Sequence, residues 1–460
     1  MQKNLFFKLI SVGVLALLLL IPLGLIEGVI AARQHRQLDV EQTIAASSAG
    51  PQTLIGPVLV IPYTEKVFTK TKDDKGKEQT TITDHERQVV IAPTSLDVKA
   101  AATTDTKYKG LYKALVHTTK GRWRARFDVP VNLGLAADPQ LITPRTAFLA
   151  FGVSDTRGLL GQPAITWNGD KREAGPGTYL PALAQGLHAD IGRWDDTRAV
   201  GGEAVIDVEL LGTGALAFAP VGQETAVSLT SPWPHPNFLG DFLPRDRAIS
   251  ADGFTAKWGV TRFATANNTL LRNDSPVTMY LREYAQGARH ATQDGRGFDT
   301  FGVKFIEPVN VYLQAERAVK YGILFVALTF AAFFLLEILK SLRIHALQYG
   351  LVGLALAVFF LLTISLSEHI AFGWAYLSAS IACVGLLTFY IGHVLKSAPR
   401  GLAFGGLFGL LYAVLYALLL SEDNALVLGS LLLYVALAAV MILTRKVDWY
   451  HLGSSEPAKV

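Results

Sequence analysis

The order of apolar and polar positions divides the chain into two unlike parts. Before about residue 310, short apolar stretches alternate with polar positions and are punctuated by Gly and Pro, apart from one long apolar run near the start. After it, apolar runs follow one another with short polar joints. Predominantly apolar segments at 9–26, 319–339, 346–366, 370–394, 402–420 and 425–443 are long enough to cross a bilayer core at about 1.5 Å of helical rise per residue. The segment from Glu316 to His345 is the hinge between the two parts, and its charges lie at the ends around an apolar middle. That arrangement predicts one helix, entered near Pro308 or Val309, that fits a mechanical tether better than a conduit.

The joints set an orientation. Lys340 and Arg343 lie in one joint, Lys396 and Arg400 in the next but one, and Arg445 and Lys446 after the last run. The alternate joints, Ser367-Glu368-His369 and Ser421-Glu422-Asp423-Asn424, carry no Lys or Arg. By the positive-inside rule, and in agreement with Lys3 and Lys8, both termini are expected on the cytoplasmic side, with residues 34–318 on the far face. Val29-Ile30-Ala31 has the outline of a weak signal-peptide cleavage site, but the apolar core at 9–26 is longer than such signals carry and favours an uncleaved anchor. Pro22 is expected to kink this helix without ending it.

The expected domains are therefore 1–33, a transmembrane anchor; 34–318, a β-rich domain; 319–444, a five-helix bundle; and 445–460, a tail. With six transmembrane helices in total, the chain is a multi-domain membrane protein. No Gly or Pro falls between Val29 and Ala49, so the first helix should continue beyond the membrane as a rod that stops at Ser47-Ser48-Ala49-Gly50-Pro51. Roughly a dozen short strands follow. They include 54–62, 88–92, a hairpin of 112–118 and 122–129 turning at Thr119-Lys120-Gly121, 147–153, 164–167, 205–211, 215–219, 225–231, 255–263 and 300–306. With no βαβ alternation, the expectation is an antiparallel β domain of one or two sandwich-like lobes. Lys66–Lys77 reads as a charged turn around Asp73-Asp74-Lys75-Gly76, and Asn267–Asp299 as a long loop with little structure.

Composition adds little. The mean hydropathy is positive and charged residues are 17% of the chain, against about a quarter in soluble proteins. A net charge of +4 on 460 residues gives no case for nucleic acid. The single cysteine, Cys383, rules out a disulfide framework and reads as a small buried hydrophobe.

Chemistry is hard to find. There is no G-x-S-x-G, H-E-x-x-H or P-loop pattern, and Ser154-Asp155 reads as a turn. The exported histidines His35, His85, His117, His188, His235 and His290 have no metal-ligand spacing. No catalytic, cofactor or metal residue is assigned. Arg122 and Arg124 share one strand face and read as solvated edge charge. Glu337 is placed to pair with Lys340 near one end of its span; Glu368 and His369 sit at the outer mouth, and His393 near Lys396 at the inner one. Trp374, Tyr376, Trp449 and Tyr450 fall where an aromatic belt belongs, and Gly401, Gly405 and Gly409 favour close helix packing. A mid-bundle this apolar argues against a transporter.

The most unusual stretch is Ser231-Pro-Trp-Pro-His-Pro-Asn-Phe-Leu-Gly-Asp-Phe-Leu-Pro244. Its prolines hold an extended path, and Trp233, Phe238 and Phe242 supply apolar anchors. It reads as a rigid loop packed on the β domain, with Trp233, Pro234, His235, Pro236, Phe238, Asp241 and Phe242 as candidate contacts for a partner.

Together with Ser48-Ala49-Gly50-Pro51-Gln52, Gly56-Pro57, Arg317, Lys320-Tyr321, the run LTFAAFFLLE, Ser367-Glu368-His369 and Thr444-Arg-Lys-Val-Asp-Trp-Tyr450, this loop resembles the CreD family of Gram-negative inner-membrane proteins. The resemblance implies an envelope-integrity protein with a periplasmic domain, produced under the Cre two-component system and tied to envelope stress and β-lactam response. It implies no established catalytic site. The leading expectation is a non-enzymatic protein working by contact of its periplasmic domain with envelope proteins or peptidoglycan-related components. A membrane sensor or accessory component that couples ligand or partner binding to the bundle is the second, and a periplasmic enzyme with a site assembled across strands the third. Beyond the lipid bilayer the sequence names no partner.

Overall fold

The computed structural model describes residues 2–72, 78–135, 141–194, 200–273, 275–277, 279, 297–307, 311–340, 344–421 and 425–445. The turn expected at 73–77, His290 with most of the 267–299 stretch, the joints at 341–343 and 422–424, and Lys446, Trp449 and Tyr450 with the tail lie outside the described residues. The chain forms two compact units, one made of residues 1–37 with 309–460, the other of residues 38–308.

The first unit is helical. It holds α1 (Gln2–Leu18), the first part of α2 (Leu20–Ser47), α3 (Val311–Lys340), α4 (Ala346–Ser367), α5 (Phe372–Val394), α6 (Ala398–Leu420) and α7 (Ala425–Thr444). Among the described residues, five helical segments are long and apolar enough to cross a membrane, the end of α1 and α2 counting together as one from Ile10 to Ser47, and α7 carries a shorter apolar stretch, Val427–Ile442. The α1–α2 break at Leu19 lies just before Pro22, whose missing N–H cannot serve the carbonyl of Leu18. Leu19 packs into the space left by Gly353 of α4, and Leu23 lies beside Gly322 of α3. Phe325, Phe330 and Phe333 of α3 meet Tyr412, Tyr349, Phe404 and Phe408 at the bundle centre.

Two sheets packed face to face make the second unit. Its strands are β1 (Gln52–Lys72), β2 (Glu78–Ile91), β3 (Ser95–Lys109), β4 (Tyr112–Val129), β5 (Ile142–Pro144), β6 (Thr146–Val153), β7 (Ala164–Trp167), β8 (Asp170–Arg172), β9 (Gly175–Pro176) and β10 (Gly186–Arg193). They continue with β11 (Val200–Thr213), β12 (Ala215–Ala219), β13 (Glu224–Ser231), β14 (Pro236–Gly240), β15 (Asp246–Ser250), β16 (Gly253–Thr261) and β17 (Phe301–Phe305). The first sheet runs β14-β17-β12-β1-β6-β10-β9, with β2 and β5 also on β1; the second runs β15-β16-β13-β3-β4-β11-β7-β8.

The core lies between the sheets. In β4, residues 122–129 alternate outward and inward, with Trp123, Ala125, Phe127 and Val129 inside. The Trp123 indole meets the edge of Phe151 at 5.3 Å and lies 6.3 Å from Phe218, both on the first sheet. Leu54 to Ile61 of β1 are buried without alternation, because β1 is the central strand and both its faces are covered. Opposite the second sheet, Leu183 and Met279 pack over Gly152.

Several expectations change. Seventeen strands stand among the described residues, more than the dozen expected, and several are longer: β1 has 21 residues and β4 has 18. The hairpin at Thr119-Lys120-Gly121 does not exist. Gly121 is mid-strand, and it is glycine because the Trp123 ring lies over it, 2.5 Å from where a Cβ would stand. The turn is instead at Gly110-Leu111, with Gly110 at φ +64°. Lys66–Lys72, expected in a loop, is strand paired with Glu78–Asp84. The sheets are mixed rather than antiparallel: β1 pairs parallel with β12, and β3 with β13. Residues 267–299 are anchored at both ends, where buried Asn267 donates to Pro220 O and Asp299 O and accepts from Asp299 N at 2.8 Å. The rod does stop as expected, with α2 ending at Ser47.

Candidate functional site

The proline-rich stretch becomes partly strand. Pro236 opens β14, the edge strand of the first sheet, and the ladder to β17 pairs Pro236 with Phe305 and Gly240 with Phe301. An edge tolerates proline because its missing donor costs no ladder bond there. Trp233 Nε1–H donates to Ile306 O at 3.0 Å, Ile306 N–H to His235 O at 3.3 Å, Asp241 N–H to Thr300 O at 2.7 Å and Thr300 N–H to Asp241 Oδ2 at 2.9 Å. Gly240, at φ +100°, lets the backbones approach so closely that a Cβ would collide with Thr300 O.

The aromatics expected as contacts face inward. Phe238 meets Phe254 and Trp258 edge-on at 5.7 and 5.8 Å, and Phe242 meets Phe301 at 6.2 Å. Trp233, Pro234, Pro236, Phe238 and Phe242 are half-buried, whereas His235, Asn237 and Asp241 are exposed. Leu243, which the sequence did not single out, is 70% exposed. The surface offered by this segment is thus His235, Asn237, Asp241 and Leu243 along an open strand edge, with the aromatic cluster as its support.

The polar residues of the helical unit do not converge. Glu337 accepts from Tyr349 OH at 3.0 Å and from Ile344 N–H at 3.4 Å, which ties the end of α3 to the start of α4; the Lys340 side chain is outside the described residues. Glu368 pairs with Arg33 of α2 at 3.3 Å, while His369 is exposed. His393 Nδ1 bonds to Phe389 O of its own helix. Tyr376 OH donates to Tyr412 O at 2.7 Å, and Cys383 Sγ lies 3.2 Å from Tyr412 OH, a buried polar chain that hydropathy alone concealed. Gly401 packs on the backbone of Gly392 and Gly405 on Thr388, but a Cβ on Gly409 would point into open space, and this glycine lines a groove of about 790 Å³ with Trp374, Ser380 and Tyr416.

In the β domain, Arg122 and Arg124 are not at an edge, since β4 lies between β3 and β11. They belong to a cross-strand ladder on the solvent face: Arg122 binds Asp207 with both Nε and Nη2, Arg124 and Arg126 share Glu203, and Lys120 meets Glu209. Ser154 and Asp155 hold the chain entry. Ser154 Oγ accepts from Thr53 N–H at 2.8 Å, and Asp155 accepts from Gly50 N–H at 3.0 Å and from Arg157. The Arg157 guanidinium holds the Asp155 carboxyl below the usual range, against its partial burial.

Among the described residues of the domain, His117 is the one fully buried histidine. Its Nε2 donates to Ala215 O at 3.1 Å, since a carbonyl only accepts, and its Nδ1 takes the Thr119 hydroxyl at 3.0 Å. Burial pushes its pKa down to about 4, partly opposed by the carbonyl. Among the described residues, no group of three or more His, Cys, Asp or Glu is placed to hold a metal.

The family model described as "Inner membrane protein CreD" matches residues 4–450. The chain is 37% identical over 453 residues to the Inner membrane protein CreD of Escherichia coli (strain K12), covering 98% of this chain and 95% of that one. Among solved structures, an M1 zinc metallopeptidase from Deinococcus radiodurans aligns over 37% of this chain and 38% of its own, with 9% identity. Its TM-score of 0.18 carries no argument about fold or activity.

Proposed function

This chain belongs to the CreD family of inner membrane proteins, and from that premise we propose that it is a non-enzymatic envelope-integrity protein acting by contact. In this reading six helices hold it in the inner membrane with both termini cytoplasmic, and the β domain meets envelope proteins or peptidoglycan-related components in the periplasm during envelope stress, including β-lactam challenge.

The observation that carries the reading is the open edge of β14. Among the described residues no strand pairs with its outer side, which is a template for strand addition, and its other side is fixed by the bonds from Trp233, His235 and Asp241. A preformed edge avoids the ordering cost that a flexible loop meets on binding.

Photo-crosslinkers at His235 and Leu243 in intact cells should trap an envelope component, and those at Trp233 and Phe238, whose rings are turned inward, should not. Silence at all four positions counts against contact through this edge. Neutralising Glu337, Glu368 or His369 should leave envelope resistance nearly intact; its loss would favour a signalling bundle. Reporter fusions at Asp73 and Arg343 test the topology, and an exported signal at Arg343 overturns it.

A further inference from the structure

Strand β4 pairs with β11 only as far as Val116, and β3 with β13 only as far as Ala101. Beyond those points the ladder among the described residues joins only β3 and β4, out to Lys109 and Tyr112, and past the bond of Leu115 to Gly214 it runs on as a two-stranded ribbon. An isolated two-stranded ribbon is marginal in water. This tip is Lys107-Tyr108-Lys109-Gly110-Leu111-Tyr112-Lys113, with Tyr108 71% and Leu111 52% exposed.

The ribbon leaves the domain at the end where the chain enters and departs. At its base, Leu115 O accepts from Gly214 N–H, Gly214 O accepts from Phe305 N–H, and the neighbouring Thr213 N–H donates to Gly50 O. Lys113 pairs with Glu307 at 2.9 Å, and Glu307 stands four residues before Val311, where the apolar helix α3 begins. Lys107 is paired with Asp105 at 2.8 Å, and no carboxylate among the described residues lies within ion-pair distance of Lys109. An aromatic ring and a leucine ringed by lysines match the chemistry of a membrane interface: the apolar groups enter the headgroup layer while the ammonium groups reach lipid phosphates.

We propose that this tip is a lipid-contacting element, in which Tyr108 and Leu111 enter the headgroup layer of a membrane while Lys107 and Lys109 hold anionic lipid. The proposal is independent of the β14 edge. The β1–β2 ribbon is a natural control. It leaves the opposite end of the domain and exposes the cross-strand pair Phe68 and Ile82 amid charges of both signs.

The test uses the full chain with Cys383→Ala, reconstituted in vesicles of phosphatidylethanolamine with phosphatidylglycerol, or of phosphatidylcholine alone. A fluorophore is attached at Leu111→Cys or Tyr108→Cys on the tip, or at Thr81→Cys on the control ribbon. Labels at 108 and 111 should be quenched by brominated acyl chains and shielded from iodide, more so with the anionic lipid; the label at 81 should respond to iodide alone. Adding Lys107→Gln and Lys109→Gln should return the tip label to iodide in anionic vesicles. A tip label as open to iodide as the one at 81 overturns the proposal. Shielding from both quenchers, which means protein covers the tip, also overturns it, and indifference to the lysine changes overturns the part given to anionic lipid.

Discussion

Acid should weaken the β domain through His117, because its burial opposes a charge on the ring. The side chain is 0% exposed, and the groups that touch it, Thr119, Ala215 O, Gly212 and the Phe305 ring at 5.2 Å, bring no carboxylate that would favour a charge. Its folded-state pKa of about 4 lies below the ordinary 6.5 of the unfolded chain. Above pH 6.5 both states are neutral and nothing is lost. As pH falls below 6.5 the unfolded chain takes up a proton that the folded one refuses, so stability drops by about 1.4 kcal/mol per pH unit until the folded-state pKa is reached. The total loss is about 3 kcal/mol, of which about 2 kcal/mol has accrued by pH 5. Urea unfolding of the full chain, followed by tryptophan fluorescence at pH 7 and pH 5, measures this in wild type and in His117→Gln, which cannot titrate. Asp155 also loses stability as pH falls towards its depressed folded-state pKa, but equally in both proteins, so the difference between their pH slopes isolates His117. Parallel slopes would refute the reasoning, whatever the constant cost of the substitution.

Three further outcomes follow from packing. Trp123→Ala removes the ring that bridges the sheets and should cost about 3–5 kcal/mol in the same urea assay; a loss below about 1 kcal/mol would mean the sheets do not depend on it. Gly401→Leu drives a side chain into the Gly392 backbone of α5 and should lower the thermal midpoint of the helical unit, whereas Gly409→Leu, into an open groove, should not. Tyr349→Phe deletes one hydrogen bond to Glu337 and should cost about 1–3 kcal/mol; Phe330→Leu, beside the same ring, tests whether packing alone explains the change.

Hydropathy and turn chemistry made much of the architecture legible. The apolar helices, the stop at Ser47 and strands such as β7 and β13 follow from periodicity that local sequence carries. What escaped was decided by distant residues. Gly121 looks like a turn until the Trp123 ring above it is known, and the parallel pairing of β1 with β12 has no local signature. The proline-rich stretch was recognisable as special, but which of its side chains face outward depends on Phe254, Trp258 and Phe301, remote in the chain. Leu243 carried no signal beyond its place beside Pro244. His117 was visible only as one of several scattered histidines, because its burial comes from the crossing of β11 into β12 above it.

The central place of β1 also bears on how the domain is made. Gln52 emerges early in synthesis, yet its parallel partner Leu216 and the antiparallel partner of Leu54, Val153, come much later. Until then the long strand has only β2 beside it, and its apolar Leu54-Ile55 and Val58–Ile61 are left without their sheet. Long-range pairings of this kind form slowly and leave a sticky edge open in the meantime. Biogenesis of this protein should therefore depend on factors that shield nascent strands, and a shortage of them should appear first as aggregation of chains ended before β12.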